Sequence, residues 1–186
     1  MNEKQKGTIA EFLKLLNEDD FDIYKPVLDY LLELGYLPHK TKEKKLEFRK
    51  FGYTILKIVC ESCVKRKTGT EVMISFRFSA CKEYSQVFQE AISKRTVAMI
   101  KRDEYYKSLE KCCGFCKMPR LYKYLDEKGN TIYRCGLTTK DIWNITALHI
   151  PELLNLIKEQ DEYFITLKNS NLPSTKLYND HFRKNK

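Results

Sequence analysis

Two stretches of alternating side chains constrain this chain more than any other feature. In residues 51–61, Leu56, Ile58 and Cys60 alternate with Lys57, Val59 and Glu61. In residues 71–79, Val72, Ile74, Phe76 and Phe78 alternate with Met73, Ser75, Arg77 and Ser79. A period of two marks a strand with one buried face. The intervening VKRKTGT holds Gly69 and reads as the turn of an antiparallel hairpin. Such a hairpin cannot stand alone. Its apolar face needs helices, and helical patterns lie on both sides of it in the sequence.

Before the hairpin, residues 7–17 place Ile9, Phe12, Leu13, Leu15 and Leu16 on one stripe, with Thr8 and Glu11 in capping-box spacing. Residues 25–34 read as a second helix, with Pro26 in its first turn and Gly35 as its stop. Residues 36–50 read as a basic loop holding at most one short strand. After the hairpin, helices are expected over 82–93 and about 96–110. A second hairpin is expected over 121–136, turning at Asp126 to Asn130, and further helices at 138–147 and 151–167. The expected organisation is an α+β domain over 1–111, a cysteine-rich hairpin over 112–137, C-terminal helices over 138–168 and a polar tail over 169–186.

At 186 residues the chain is long enough for a real core. No apolar run approaches the ~18 residues of a membrane span, and the first residues lack the apolar stretch of a secretion signal. The reading is a soluble, cytoplasmic protein with no membrane partner. The net charge is +9, and it is unevenly placed. Residues 1–39 carry a net of −4, whereas residues 40–67 carry +7. A basic stretch of this kind attracts phosphate or an acidic partner, and equally serves as a solvated face.

Seven cysteines in a cytoplasmic chain raise the question of metal rather than disulfides. Cys113 and Cys116 form a C-x-x-C, and Cys135 returns at the far end of the expected hairpin. A C-x-x-C turn aims two thiolates at one ion, and a hairpin brings the chain back to close the tetrahedron. This is the layout of a structural zinc ribbon. Thr138 stands where a fourth cysteine belongs. Cys112, His149, or a thiolate from Cys60, Cys63 or Cys81 is left to complete the set, with Cys112 taken as the fourth candidate. A metal-free ribbon is the competing reading. A thioredoxin-like role is disfavoured, because a strand rather than a helix is expected after Cys116. Cys60 and Cys81 read as buried core residues.

No phosphate-binding loop, dinucleotide fingerprint, metalloprotease or nucleophile-elbow motif occurs, and the three histidines are scattered. The chain therefore leans away from catalysis. Lys57, Lys65, Arg66, Lys67 and Arg77 on the first hairpin, and Lys117, Arg120, Lys123 and Arg134 around the second, are the residues expected to meet an acidic ligand. Tyr122, Tyr124 and Tyr133 interleave with the latter group. Such tyrosines either stack on bases or pack the hairpin onto its parent domain.

The order of elements up to residue ~105 resembles the small bacterial α+β domains grouped as YdhG-like, or frataxin-like. The likeness rests on two short helices, the Tyr36-Leu37-Pro38-His39-Lys40 loop, the strand pair with Lys57, and Phe78 to Ser85 opening a helix. It implies an open antiparallel sheet with helices on one face and no agreed activity. Iron handling is not carried over, because that calls for an acidic ridge and this chain is basic. The expectation is a binding module with a structural, ribbon-like zinc site and a basic surface for nucleic acid or an acidic protein. The alternative is a small-molecule sensor or enzyme with a cleft between the sheet and the C-terminal helices.

Overall fold

The structure, a computed structural model, describes residues 2–40, 45–60, 72–93, 121–136, 138–143 and 145–170, with Lys40 and Cys135 described by backbone alone. In order the elements are α1 (Glu3–Leu13), α2 (Glu18–Glu33), β1 (Leu37–Lys40), β2 (Lys45–Lys50), β3 (Tyr53–Cys60), β4 (Val72–Phe76), α3 (Gln86–Ser93), β5 (Leu121–Leu125), β6 (Thr131–Cys135), β7 (Lys140–Ile142) and, after a short 3-10 turn, α4 (Ile150–Asn169). This is an α+β fold. Five antiparallel strands run in the order β1-β2-β3-β4-β7, and β5 and β6 form a separate hairpin.

The two strands read from alternation pair as expected, Leu56 with Phe76 and Ile58 with Ile74. Their neighbours Leu46, Phe48 and Ile142 extend the same apolar face, and all of these are at most 1% exposed. Helices supply the other half of the core. Ile9 and Phe12 come from α1, Tyr24, Val27, Leu28 and Leu31 from α2, Phe88 and Ile92 from α3, and Leu153, Leu156, Ile157, Phe164 and Leu167 from α4.

Four sequence expectations need correction. The first helix begins earlier, because Asn2 rather than Thr8 caps it, accepting from Gln5 N while Gln5 reaches back to Asn2 N, each at 2.9 Å. Thr8 lies inside the helix and bonds back to the Lys4 carbonyl at 2.9 Å. The second helix begins at Glu18, not 25. Asn17 caps it through Asp20 N at 2.7 Å, and three acids in the first turn suit the positive end of the helix dipole. Pro26 is therefore mid-helix, where it removes one i to i−4 hydrogen bond. Gly35, at φ +83, ends the helix as expected. Residues 36–50 hold two strands, β1 and β2, rather than a loop. The expected helix over 138–147 is instead β7 followed by the 3-10 turn. Lys140 and Ile142 face the core and Asp141 faces out, so this segment fills the open edge of β4. The helix expected over 96–110 and the turn over 64–70 lie outside the described residues.

A bulge sets the phase of the sheet. Phe48 pairs with Leu56, yet Arg49 pairs with Thr54, so Ile55 is an extra residue on β3. Its insertion leaves Tyr53, Ile55 and Leu56 all buried and sends Thr54 to the other side. Tyr53 then stacks on Phe164 of α4, with ring centroids 4.8 Å apart and planes 11° apart.

Candidate functional site

The outer face of the sheet carries a polar row one residue deep. His39, Glu47, Lys57, Ser75 and Asp141 are successive cross-strand partners on β1, β2, β3, β4 and β7. Directly paired residues share a face, so the five side chains cross the whole sheet over about 19 Å, at ~4.8 Å per strand. Ser75 donates a short hydrogen bond to the Asp141 carboxylate.

Glu47 organises the other half of the row. Its side chain is 3% exposed. Lys57 Nζ lies 2.9 Å from its Oε1, the Arg49 guanidinium bonds Oε2, and the Thr54 hydroxyl donates at 3.3 Å. Burial alone pushes the Glu47 carboxyl up. The Lys57 hydrogen bond and charge, with those of Arg49, outweigh it and hold the carboxyl below the usual glutamate range. The two cations are far more open than the anion, at 48% for Arg49 and 39% for Lys57. A ligand approaching this face meets two positive heads held in place by a carboxylate it cannot reach. Fixing their positions before binding lowers the ordering cost of capturing an anion.

The second hairpin is docked onto the body by tyrosines. Tyr122 is fully buried, and its hydroxyl donates to the Thr138 carbonyl at 2.8 Å and accepts from Phe78 N at 3.4 Å. The Phe78 ring is a hub, 4.9 Å from Tyr122, 5.1 Å from Tyr84 and 5.5 Å from Phe88. The Tyr84 hydroxyl accepts from Lys123 N at 2.9 Å and donates to the carbonyl of the same residue. The turn is fixed by Asp126, whose carboxylate accepts from Lys128 N at 2.9 Å and Asn130 N at 2.8 Å. Bonds from the Asn130 side chain and backbone hold that carboxyl below the usual aspartate range.

Among the described residues, the cations selected from the sequence do not converge. Lys57 sits in the outer-face row. Arg77 is 7% exposed and lies 5.9 Å over the Phe164 ring, under α4, because β4 ends at Phe76 and the alternation read from sequence does not extend to it. Arg134 is laid over Tyr124 at 5.6 Å and donates to the Tyr124 hydroxyl at 3.3 Å. Lys123 is exposed on the far side of its hairpin. Lys65, Arg66, Lys67, Lys117 and Arg120 lie outside the described residues. So do Cys63, Cys112, Cys113 and Cys116. Cys135 ends β6 opposite Leu121. Cys60 and Cys81 are buried thiols, as read, and Cys81 Sγ donates to the Leu156 carbonyl at 3.3 Å. His149 Nδ1 is engaged by Thr146, 3.1 Å from its N and 3.0 Å from its Oγ1. No group of three or more potential metal ligands occurs among the described residues.

Between the sheet and α4 lie the Tyr53–Phe164 stack and a largely buried ion pair. Lys50 Nζ bonds both oxygens of Asp161, at 2.9 and 3.0 Å, with side chains only 14% and 5% exposed. Lys50 also lies 5.3 Å over Tyr36 and 5.2 Å over Phe51. Burial, and next the Asp161 charge, hold the Tyr36 hydroxyl protonated well above the usual tyrosine range.

Arg49, Glu47 and His39 were not singled out from the sequence as site residues. Only the pairing of β1 and β2, segments read as loop, brings them beside Lys57. No helix among the described residues is long and apolar enough to cross a membrane. No family model, curated protein or solved structure matches the chain.

Proposed function

We propose that this chain is a non-enzymatic binding module for an acidic ligand, nucleic acid, and that the outer face of the sheet contacts its phosphates. The observation that carries the reading is the Arg49–Glu47–Lys57 arrangement: two half-open cations braced by a buried carboxylate. The +9 net charge of the chain supports it by raising the local concentration of polyanions. His39, exposed and paired with Glu47, adds a hydrogen-bonding group to the same row.

The structural zinc site belongs to the same proposal, with Cys113, Cys116, Cys135 and Cys112 as its ligands. Its task would be to hold together a segment too small to own a core. Localisation in the cytoplasm, where thiols stay reduced, fits thiolate ligands of this kind.

The test is fluorescence anisotropy of labelled oligonucleotides across a salt series. Binding should weaken linearly in log-log form as salt rises. Arg49→Gln and Lys57→Gln should each reduce the slope by about one. Absence of binding at low salt, or slopes untouched by both substitutions, would overturn the reading.

A further inference from the structure

The pleat divides the second hairpin into two faces with different fates. Tyr122, Tyr124, Ile132 and Arg134 share the face turned to the body. There Tyr122 is part of the core, Tyr124 packs against it, and Arg134 covers Tyr124. Lys123 and Tyr133 are direct cross-strand partners on the opposite face. Tyr133 is 48% exposed, and Leu125, on the same face at the next outward position of β5, is 60% exposed. Lys123 spends only its backbone on Tyr84, so its ammonium has no acidic partner among the described residues.

An aromatic ring left half-exposed beside a cation with no acidic partner among the described residues is unusual on a hairpin whose other aromatics are packed. The pair matches what an unstacked nucleotide requires, a flat apolar surface for the base and a positive head for its phosphate. A duplex keeps its bases stacked and out of reach of one projecting ring. Resting on the nucleic-acid reading above, we infer that Lys123 and Tyr133 form a base-stacking subsite and that the ligand is a single strand.

The experiment compares a labelled 12-nucleotide oligo(dT) with a 12-base-pair duplex of mixed sequence, binding to the full chain at fixed low salt. The single strand should bind more tightly. Stacking magnitudes convert to a loss of about 5- to 150-fold in single-strand affinity for Tyr133→Ala. Tyr133→Phe should keep most of that affinity, because the ring rather than the hydroxyl acts. Duplex affinity should be nearly unchanged by either substitution. Circular dichroism and a thermal melt check that these exposed-site variants remain folded. Equal or tighter duplex binding, or a Tyr133→Ala variant that loses nothing, would overturn the subsite while leaving the phosphate-binding face standing. Absence of binding to either probe would overturn the nucleic-acid reading itself, and the subsite with it.

Discussion

Removing Asp161 should loosen α4 from the sheet more than any other single polar substitution among the described residues. The carboxylate is 5% exposed on its side chain and meets Lys50 Nζ through both oxygens. Phe51 and Tyr36 close over the ammonium, and Arg77 lies nearby against Phe164. Asp161→Asn would leave the Lys50 ammonium, its side chain 14% exposed, with its local anion gone. Breaking one side of a buried pair costs about 3–5 kcal/mol. In a domain of this size that lowers the melting temperature by roughly 10 °C. Replacing both partners, Lys50→Met with Asp161→Leu, removes the uncompensated charge and should cost less than about 2 kcal/mol. Urea unfolding of the wild type, Lys50→Met, Asp161→Leu and the double variant measures the coupling directly. If Asp161→Asn costs under about 1 kcal/mol, or the two single effects simply add, the pair is not what docks α4.

Three further outcomes follow from other parts of the structure. Because Glu47 has a folded-state pKa below its unfolded value of ~4.3, its contribution to stability is complete above that pH and is lost as pH falls through the lower folded value. Glu47→Gln should flatten the acid limb of stability against pH, and an unaltered limb would show that the carboxylate is not braced by its cations. Tyr122→Phe removes a hydroxyl that bonds both Thr138 and Phe78, and should cost about 1–2 kcal/mol while raising amide exchange across β5 and β6. Exchange unchanged from wild type would mean that the rings alone hold the hairpin. Elemental analysis of the reduced protein should find about one zinc per chain, lost in Cys116→Ser together with thermal stability. Metal-free protein of full stability would rule the ribbon out.

Legibility in the sequence followed the strength of local period. β3 and β4 were plain because Leu56, Ile58, Ile74 and Phe76 alternate with residues that remain on the other face. The hairpin turn was plain because Asp126 and Gly129 suit it chemically, and Gly129 adopts φ +79. The strands β1 and β2 were hidden by their charge. Lys45, Glu47, Arg49 and Lys50 look like a solvated loop, yet cross-strand pairing lets Glu47 be buried among cations. The bulge at Ile55 was equally hidden, since adjacent apolar residues give no sign of which one is extra. The turn that follows β2 also runs against local preference. Phe51, at φ +54, occupies a left-handed position next to Gly52 at +80, where asparagine or glycine would be expected. Its ring accepts Lys168 at 4.3 Å and Lys50 at 5.2 Å, contacts that offset part of a strain of about 1–2 kcal/mol. Long-range partners of this kind, 111 residues apart in the case of Lys50 and Asp161, leave no mark in a local pattern.

The site was partly legible for the same reason. Lys57 stood out as a cation on a strand, but its bracing by Glu47 and its neighbour Arg49 required the register of β2 against β3. Arg77, which looked equivalent, is consumed by the core.

Arg49 and Lys57 either contact phosphates or merely solvate the sheet face. The decisive measurement is the salt dependence of oligonucleotide binding by the wild type and the Arg49→Gln and Lys57→Gln variants. Phosphate contact gives binding at low salt, a linear log-log decline, and a slope reduced by about one in each variant. Equal slopes in all three proteins, or no binding at the lowest salt, would contradict it.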